Sequence, residues 1–201
     1  EPRADWTNEA RANILAALRT QQASRGGRVH FIEHRNELPG VTADELADVE
    51  RLNYAVAQSI VVHKYLGDYL PTKRTNGLDW TLGEDAVRLG QKTGYDYALF
   101  LHAEDQVAST GRVALGVIGL AGCFVGFCAP NVGGATQIDY ASLVDLKTGE
   151  VVWFNVVIAG SQVPGIKFGN LRSPEGAAQM VERLLGRMKP GAAVRKAQAT
   201  R

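Results

Sequence analysis

The sequence predicts an α/β fold of the α+β kind: a single compact domain whose mixed sheet, with an antiparallel meander, packs against three to four helices. Three observations predict it. Residues 96–107, 138–146 and 151–158 are runs of strand-forming residues, and the last two are joined by the tight turn Lys147-Thr148-Gly149-Glu150. Amphipathic stretches with helix-capping signatures stand before and after these runs. A chain of 201 residues, 45% hydrophobic and 21% charged, is long enough to bury most of its apolar surface in one domain.

Residues 1–27 read as an N-terminal helix and its exit. Trp6, Ala10, Ile14, Ala17 and Leu18 fall close to a 3.6-residue period, Thr7 supplies a cap, and Ser24-Arg25-Gly26-Gly27 ends the helix. Residues 28–34 are predicted as a short strand with Val29 and Phe31 on one face and His30, Ile32 and His34 on the other. Histidines four apart on a strand lie roughly 13 Å apart, too far to share one metal ion. Thr42-Ala43-Asp44-Glu45 is a capping box, opening a helix that the stripe Leu46, Val49, Leu52, Val56, Ile60 carries toward Tyr69, before Pro71. His63 is read as a surface residue near that helix's negative end. Thr81-Leu82-Gly83-Glu84 is a second capping box, and its helix runs through Lys92 to Gly94.

The sheet follows. Residues 96–107 begin as a nearly continuous apolar run, as a central strand does, and turn polar at the far end. The hairpin turn after residue 146 places Gly149 where positive φ is wanted. Ser173-Pro174-Glu175 caps the last helix, whose stripe is Ala177, Met180, Val181, Leu184, Leu185 and Met188. The organisation is therefore an N-terminal helix over 1–27, a core domain over 28–189 with an insertion at 112–139, and a disordered tail over 190–201.

Charge and motifs exclude several functions. With 22 Lys+Arg against 21 Asp+Glu the net charge is +1, and no basic run with interleaved aromatics is present, so nucleic acid is excluded as a partner. The chain lacks a G-x-S-x-G elbow, a phosphate-binding Walker loop, H-E-x-x-H and a dinucleotide glycine fingerprint. It reads as noncatalytic, with no cofactor and no metal. The alternative is a small-molecule-binding protein or hydrolase with a pocket near His102 and Glu104, which share one face of the predicted strand. Cys123 and Cys128 have neither the ligand count of a zinc site nor C-x-x-C spacing; of the two readings left, a disulfide closing a tight loop and two buried thiols, the disulfide is the expectation.

The insertion is the unusual part of the chain. Between Arg112 and Asp139 no residue ionises at neutral pH except those two thiols. As a transmembrane helix the segment is short and weakened by Gly116, Gly119, Gly122 and Gly126, and its flanks are strands of one sheet. As an excursion between neighbouring strands it has its two ends close together. Leu115, Val117, Ile118, Leu120, Phe124, Val125 and Phe127 then form an apolar surface that needs the domain itself, a protein partner or second copy, or membrane to cover it.

The run Asp96-Tyr97-Ala98-Leu99-Phe100 and the later segment from Ala141 through Val144-Asp145-Leu146 and Thr148-Gly149 to Trp153, followed by a helix, resemble bacterial envelope lipoproteins related to the curli-secretion lipoprotein and the penicillin-binding-protein activator lipoproteins. The resemblance spans about residues 29–188. It implies a domain similar to the amino-terminal domain of the Tol translocation protein. It also implies a role in assembly, secretion or partner activation in the periplasm, with an outer-membrane anchor through a lipidated Cys upstream of Glu1.

Overall fold

The computed structural model describes residues 4–25, 29–67, 70–73, 77–103, 136–160 and 170–188. In chain order these hold helix α1 (Ala4–Arg25), helix α2 (Ala43–Ile60) continued by a π-helical turn (Val61–Tyr65), helix α3 (Gly83–Thr93), strands β1 (Tyr97–His102), β2 (Thr136–Asp145) and β3 (Val151–Gly160), and helix α4 (Pro174–Leu185). The strands form one open sheet in the order β1-β2-β3. β1 and β2 pair antiparallel, Tyr97 opposite Asp145 and His102 opposite Tyr140. Four helices and an antiparallel three-stranded meander among the described residues make this a mixed α/β fold, as the sequence predicts.

The chain divides into two compact units. One comprises Glu1–Thr20, Ala103–Asp139 and Val157–Arg183; the other comprises Gln21–His102, Tyr140–Val156 and Leu184–Arg201. In the first, the Arg172 guanidinium lies 4.0 Å over the Trp6 ring, and Asn13 Nδ2 donates to the Leu171 carbonyl at 3.4 Å. Helix α4 starts as its sequence dictates: Ser173 Oγ accepts the Gly176 amide at 3.1 Å, and Ala177, Met180, Val181, Leu184 and Leu185 are all buried along its stripe.

The second unit holds the described sheet pairing and its core. Thr42 and Glu45 form the predicted reciprocal capping box at the start of α2. Leu46, Val49 and Ile60 of the stripe are buried, and Asn53 and Ala57 join them. Instead of running on to Tyr69, α2 ends at Ile60 and widens into the π turn, closed by Leu66 N donating to Val61 O at 3.0 Å. Ser142 Oγ of β2 donates to Asn53 Oδ1 at 2.7 Å across the helix–sheet contact, with both residues buried. On the other face Asn155 Nδ2 of β3 donates to the Leu184 carbonyl at 2.7 Å.

Three further local expectations are corrected. Thr7 lies inside α1, which already starts at Ala4, so it is no cap. Residues 29–34 form no strand: the chain turns at once, with Glu37 N donating to His34 O at 3.1 Å and the Glu37 carboxylate taking the Glu33 amide at 2.9 Å. Thr81 does not build a capping box. Its hydroxyl donates to Gly149 O at 2.9 Å and accepts the Gly83 amide, while Leu82 occupies the cap position without a side-chain bond.

That contact locks the β2–β3 turn against the start of α3. Leu82 N donates to Gly149 O at 2.8 Å and Val151 N to Trp80 O at 2.9 Å. Within the turn, Asp145 accepts the Lys147 amide on its side chain and the Gly149 amide on its carbonyl, both at 2.8 Å. Gly149 has φ 74°, as the turn signal predicts. Gly90 of α3 also allows a close approach, because a Cβ there would stand 2.7 Å from the Leu146 carbonyl oxygen.

Helices α2 and α3 are bridged by Lys92 Nζ and Glu45 Oε1 at 2.6 Å. The Lys92 hydrogen bond, with the Thr42 amide second, holds the Glu45 carboxyl down at about 2, against an ordinary value of 4.5. A depressed carboxyl contributes stability that is present above its unfolded value and is lost as pH falls through the folded one. The side chain is solvent-exposed, so this is a local reporter of the helix pair. In a carbon-detected NMR titration Glu45 should change state near pH 2, and Lys92→Met should move that midpoint upward. An unshifted Glu45 in the unaltered protein would show that the bridge does not form.

Candidate functional site

The predicted working surface, Leu115, Val117, Ile118, Leu120, Phe124, Val125 and Phe127, lies outside the described residues, as do Cys123, Cys128 and Glu104. What is described is where this segment leaves and rejoins the sheet. It departs after His102 and Ala103 and returns in β2, where His102 and Tyr140 stand opposite each other. Leu146 N donates to Asp96 O at 2.9 Å, so Asp96, Ala98, Phe100 and His102 alternate as the hydrogen-bonded positions facing β2. Opposite residues of such a pair have Cα atoms about 5.5 Å apart. The chain between β1 and β2 therefore connects two neighbouring strands.

Around this junction the side chains form a row of rings across the sheet. Tyr54, on α2, meets the His102 ring edge-on at 5.3 Å between centroids; His102 stacks on Tyr140 at 4.9 Å; Tyr140 stacks on Phe154 of β3 at 5.7 Å. Tyr65, at the end of the π turn, tilts against Phe154 at 5.9 Å and donates its hydroxyl to the Phe154 carbonyl at 3.3 Å. The period of two brings Tyr140, Ser142 and Phe154 to the face under α2. The extra residue of the π turn sets Tyr65 at the far end of the row. Tyr140 is buried and Tyr54 and Tyr65 are exposed, so the row runs from solvent through the core to solvent.

Such a row is rigid. Stacked and edge-on ring pairs contribute about 0.5–1.5 kcal/mol each beyond the area they bury. Burial, with the neighbouring Tyr54 phenol second, pushes the Tyr140 phenol well above its ordinary range, which keeps it neutral. The row was not predicted. Tyr54 and Tyr65 stand in the sequence as scattered aromatics, and only the pairing of β1 with β2 brings His102 between two tyrosines.

A shallow groove of about 120 Å³ lies between α2 and α3, floored by Val41, Val49 and Leu89 and rimmed by Glu45, Asp48, Asp85, Arg88 and Lys92. Its rim charges are paired: Lys92 with Glu45, Arg88 with Asp85, and Asp48 with Arg51. The volume falls below the roughly 300 Å³ at which small-molecule sites begin. Among the described residues no group of three or more His, Cys, Asp and Glu could hold a metal ion, and no helix is long and apolar enough to cross a membrane. Comparison with protein-family models, curated proteins and solved structures finds no match.

Proposed function

We propose that this domain is a noncatalytic cell-envelope module that acts in assembly, secretion or partner activation by docking a protein partner or a second copy through residues 112–139. One observation supports the reading: the chain between the adjacent antiparallel strands β1 and β2 carries, from Val113 onward, an apolar run with no charged side chain. Apolar patches beyond a few hundred Å² on a monomer mark contacts. The same reading assigns the domain to the periplasm, tethered by a lipid on a Cys upstream of Glu1; palmitate labelling of the full-length product tests that.

The docking claim is tested by replacing residues 113–136 with a short Asn-Gly turn, which the proximity of the two strand ends permits. The variant should unfold cooperatively, keep its circular dichroism and, in sedimentation velocity, lose the part of the association that this segment provides. An association state identical to that of the unaltered chain overturns the reading. So does loss of cooperative unfolding, which would make the segment part of the core.

A further inference from the structure

We propose that β1 is a dimerisation edge, pairing antiparallel with β1 of a second copy about a two-fold axis at Leu99. The inference concerns a surface distinct from residues 112–139 and stands whether or not that segment docks a partner. It begins from a mismatch. The run Tyr97-Ala98-Leu99-Phe100-Leu101, closed by His102, is apolar in the manner of a central strand, yet among the described residues it is an edge strand in which no residue is fully buried. Central β2, by contrast, is buried on both faces, at Tyr140, Ser142 and Val144 and at Ala141 and Asp145. The opposite edge is partly occupied, because Trp80 and Leu82 bond to the chain at the start of β3.

Edge strands are ordinarily protected by lysine, proline, a bulge or shortness. β1 has six residues, no lysine and no proline, and pairs residue for residue with β2 without a bulge. Its register decides what the open edge offers. Since the even-numbered residues bond toward β2, the amides and carbonyls of Tyr97, Leu99 and Leu101 point outward. A two-fold axis at Leu99 sets Leu99 against Leu99 of the second copy and Tyr97 against Leu101 in both senses. Three hydrogen-bonded pairs result, each exchanging two backbone bonds.

Side chains fit the same register. Leu99 is 42% exposed in the single chain and would meet its own counterpart at the axis. Asp96, already paired with Lys147 at 2.6 Å in the single chain, falls opposite the second copy's His102, and no like charges face each other along the strand. A net charge of +1 sets no long-range barrier between copies. The contact is isologous, so it closes at two copies and does not propagate.

The test uses the full chain. Sedimentation equilibrium at micromolar concentration should give twice the chain mass of 21.7 kDa. Leu99→Pro removes the central outward N–H without touching the bonds to β2, a position where an edge strand tolerates proline. It should yield a monomer with unchanged circular dichroism. Leu99→Lys, which keeps the backbone intact but sets two like charges at the axis, should do the same, and Leu99→Val should stay dimeric. In a Cys123→Ser/Cys128→Ser background, Leu99→Cys should cross-link through a short bis-maleimide, and Ala55→Cys on the exposed face of α2 should not. A chain that is monomeric throughout overturns the proposal. So does a dimer that Leu99→Pro and Leu99→Lys leave intact; if replacement of residues 113–136 dissolves that dimer, the contact belongs to the proposed docking segment.

Discussion

Replacing Gly149 with alanine is expected to lower the folding free energy by about 3 kcal/mol, read as a fall in the urea midpoint at unchanged slope. Two costs add. At φ 74° a residue with a Cβ is held in the left-handed region, worth about 1–2 kcal/mol. The new Cβ would also fall well inside contact distance of the Gly83 carbonyl oxygen and stand 3.0 Å from its amide nitrogen, and those atoms belong to backbone that cannot swing away. Forced overpacking of this kind costs about 1–3 kcal/mol. Relief by moving the turn is blocked, since the 80–83 loop is tied to it through Gly149 O, which accepts from both Leu82 N and Thr81 Oγ1, and through Trp80 O, which accepts from Val151 N. Thr148→Ala, one residue away and exposed, removes only the hydroxyl that accepts the Glu150 amide and should cost well under half as much. A loss below about 1 kcal/mol at Gly149 would mean that the turn and the 80–83 loop are not in contact.

The contrast between Gly149 and Thr81 shows what the sequence could carry. Lys147-Thr148-Gly149-Glu150 is a local signal, fulfilled by bonds spanning a few residues, and so are the capping box at Thr42 and the Ser173 cap of α4. Thr81-Leu82-Gly83-Glu84 carries the same local pattern as Thr42, but its hydroxyl found a better acceptor 68 residues away at Gly149 O. No window of sequence contains that competitor. Residues 29–34 alternate as a strand should and yet form none, because strand identity needs a paired neighbour, which a local pattern does not encode. The end of α2 is a case of the same kind: Pro71 marks where a helix must have stopped, while the π turn at 61–65 follows from the fit of Tyr65 against Phe154. Of the candidate site, the adjacency of β1 and β2 was legible from their patterns, while Arg112 lies outside the described residues. The ring row around His102 was not, since its members come from α2, the π turn and all three strands.

Asn53→Leu is expected to cost about 2 kcal/mol, although leucine has nearly the shape of asparagine and continues the apolar stripe of α2. Asn53 is 5% exposed and Ser142 1%, and the Ser142 hydroxyl donates to Asn53 Oδ1 at 2.7 Å. A leucine at 53 strands that hydroxyl in the core, and an unsatisfied buried donor costs about 1–3 kcal/mol. Ser142→Ala strands the Asn53 amide in the same way and should cost a similar amount. The double variant Asn53→Leu/Ser142→Ala removes both polar groups together and should come back to within about 0.5 kcal/mol of the unaltered chain, giving a coupling energy near 2 kcal/mol in the cycle. The asymmetry explains why a polar pair can persist where an apolar one would serve equally well. A one-residue slip of β2 turns Ser142 to the opposite face and leaves Asn53 buried without it, so the pair penalises a wrong register that leucine and alanine would tolerate. Urea unfolding of the four chains decides the matter: additive losses would show that Asn53 and Ser142 act separately, and that the register of β2 under α2 is set by the rings of Tyr140 and Phe154 instead.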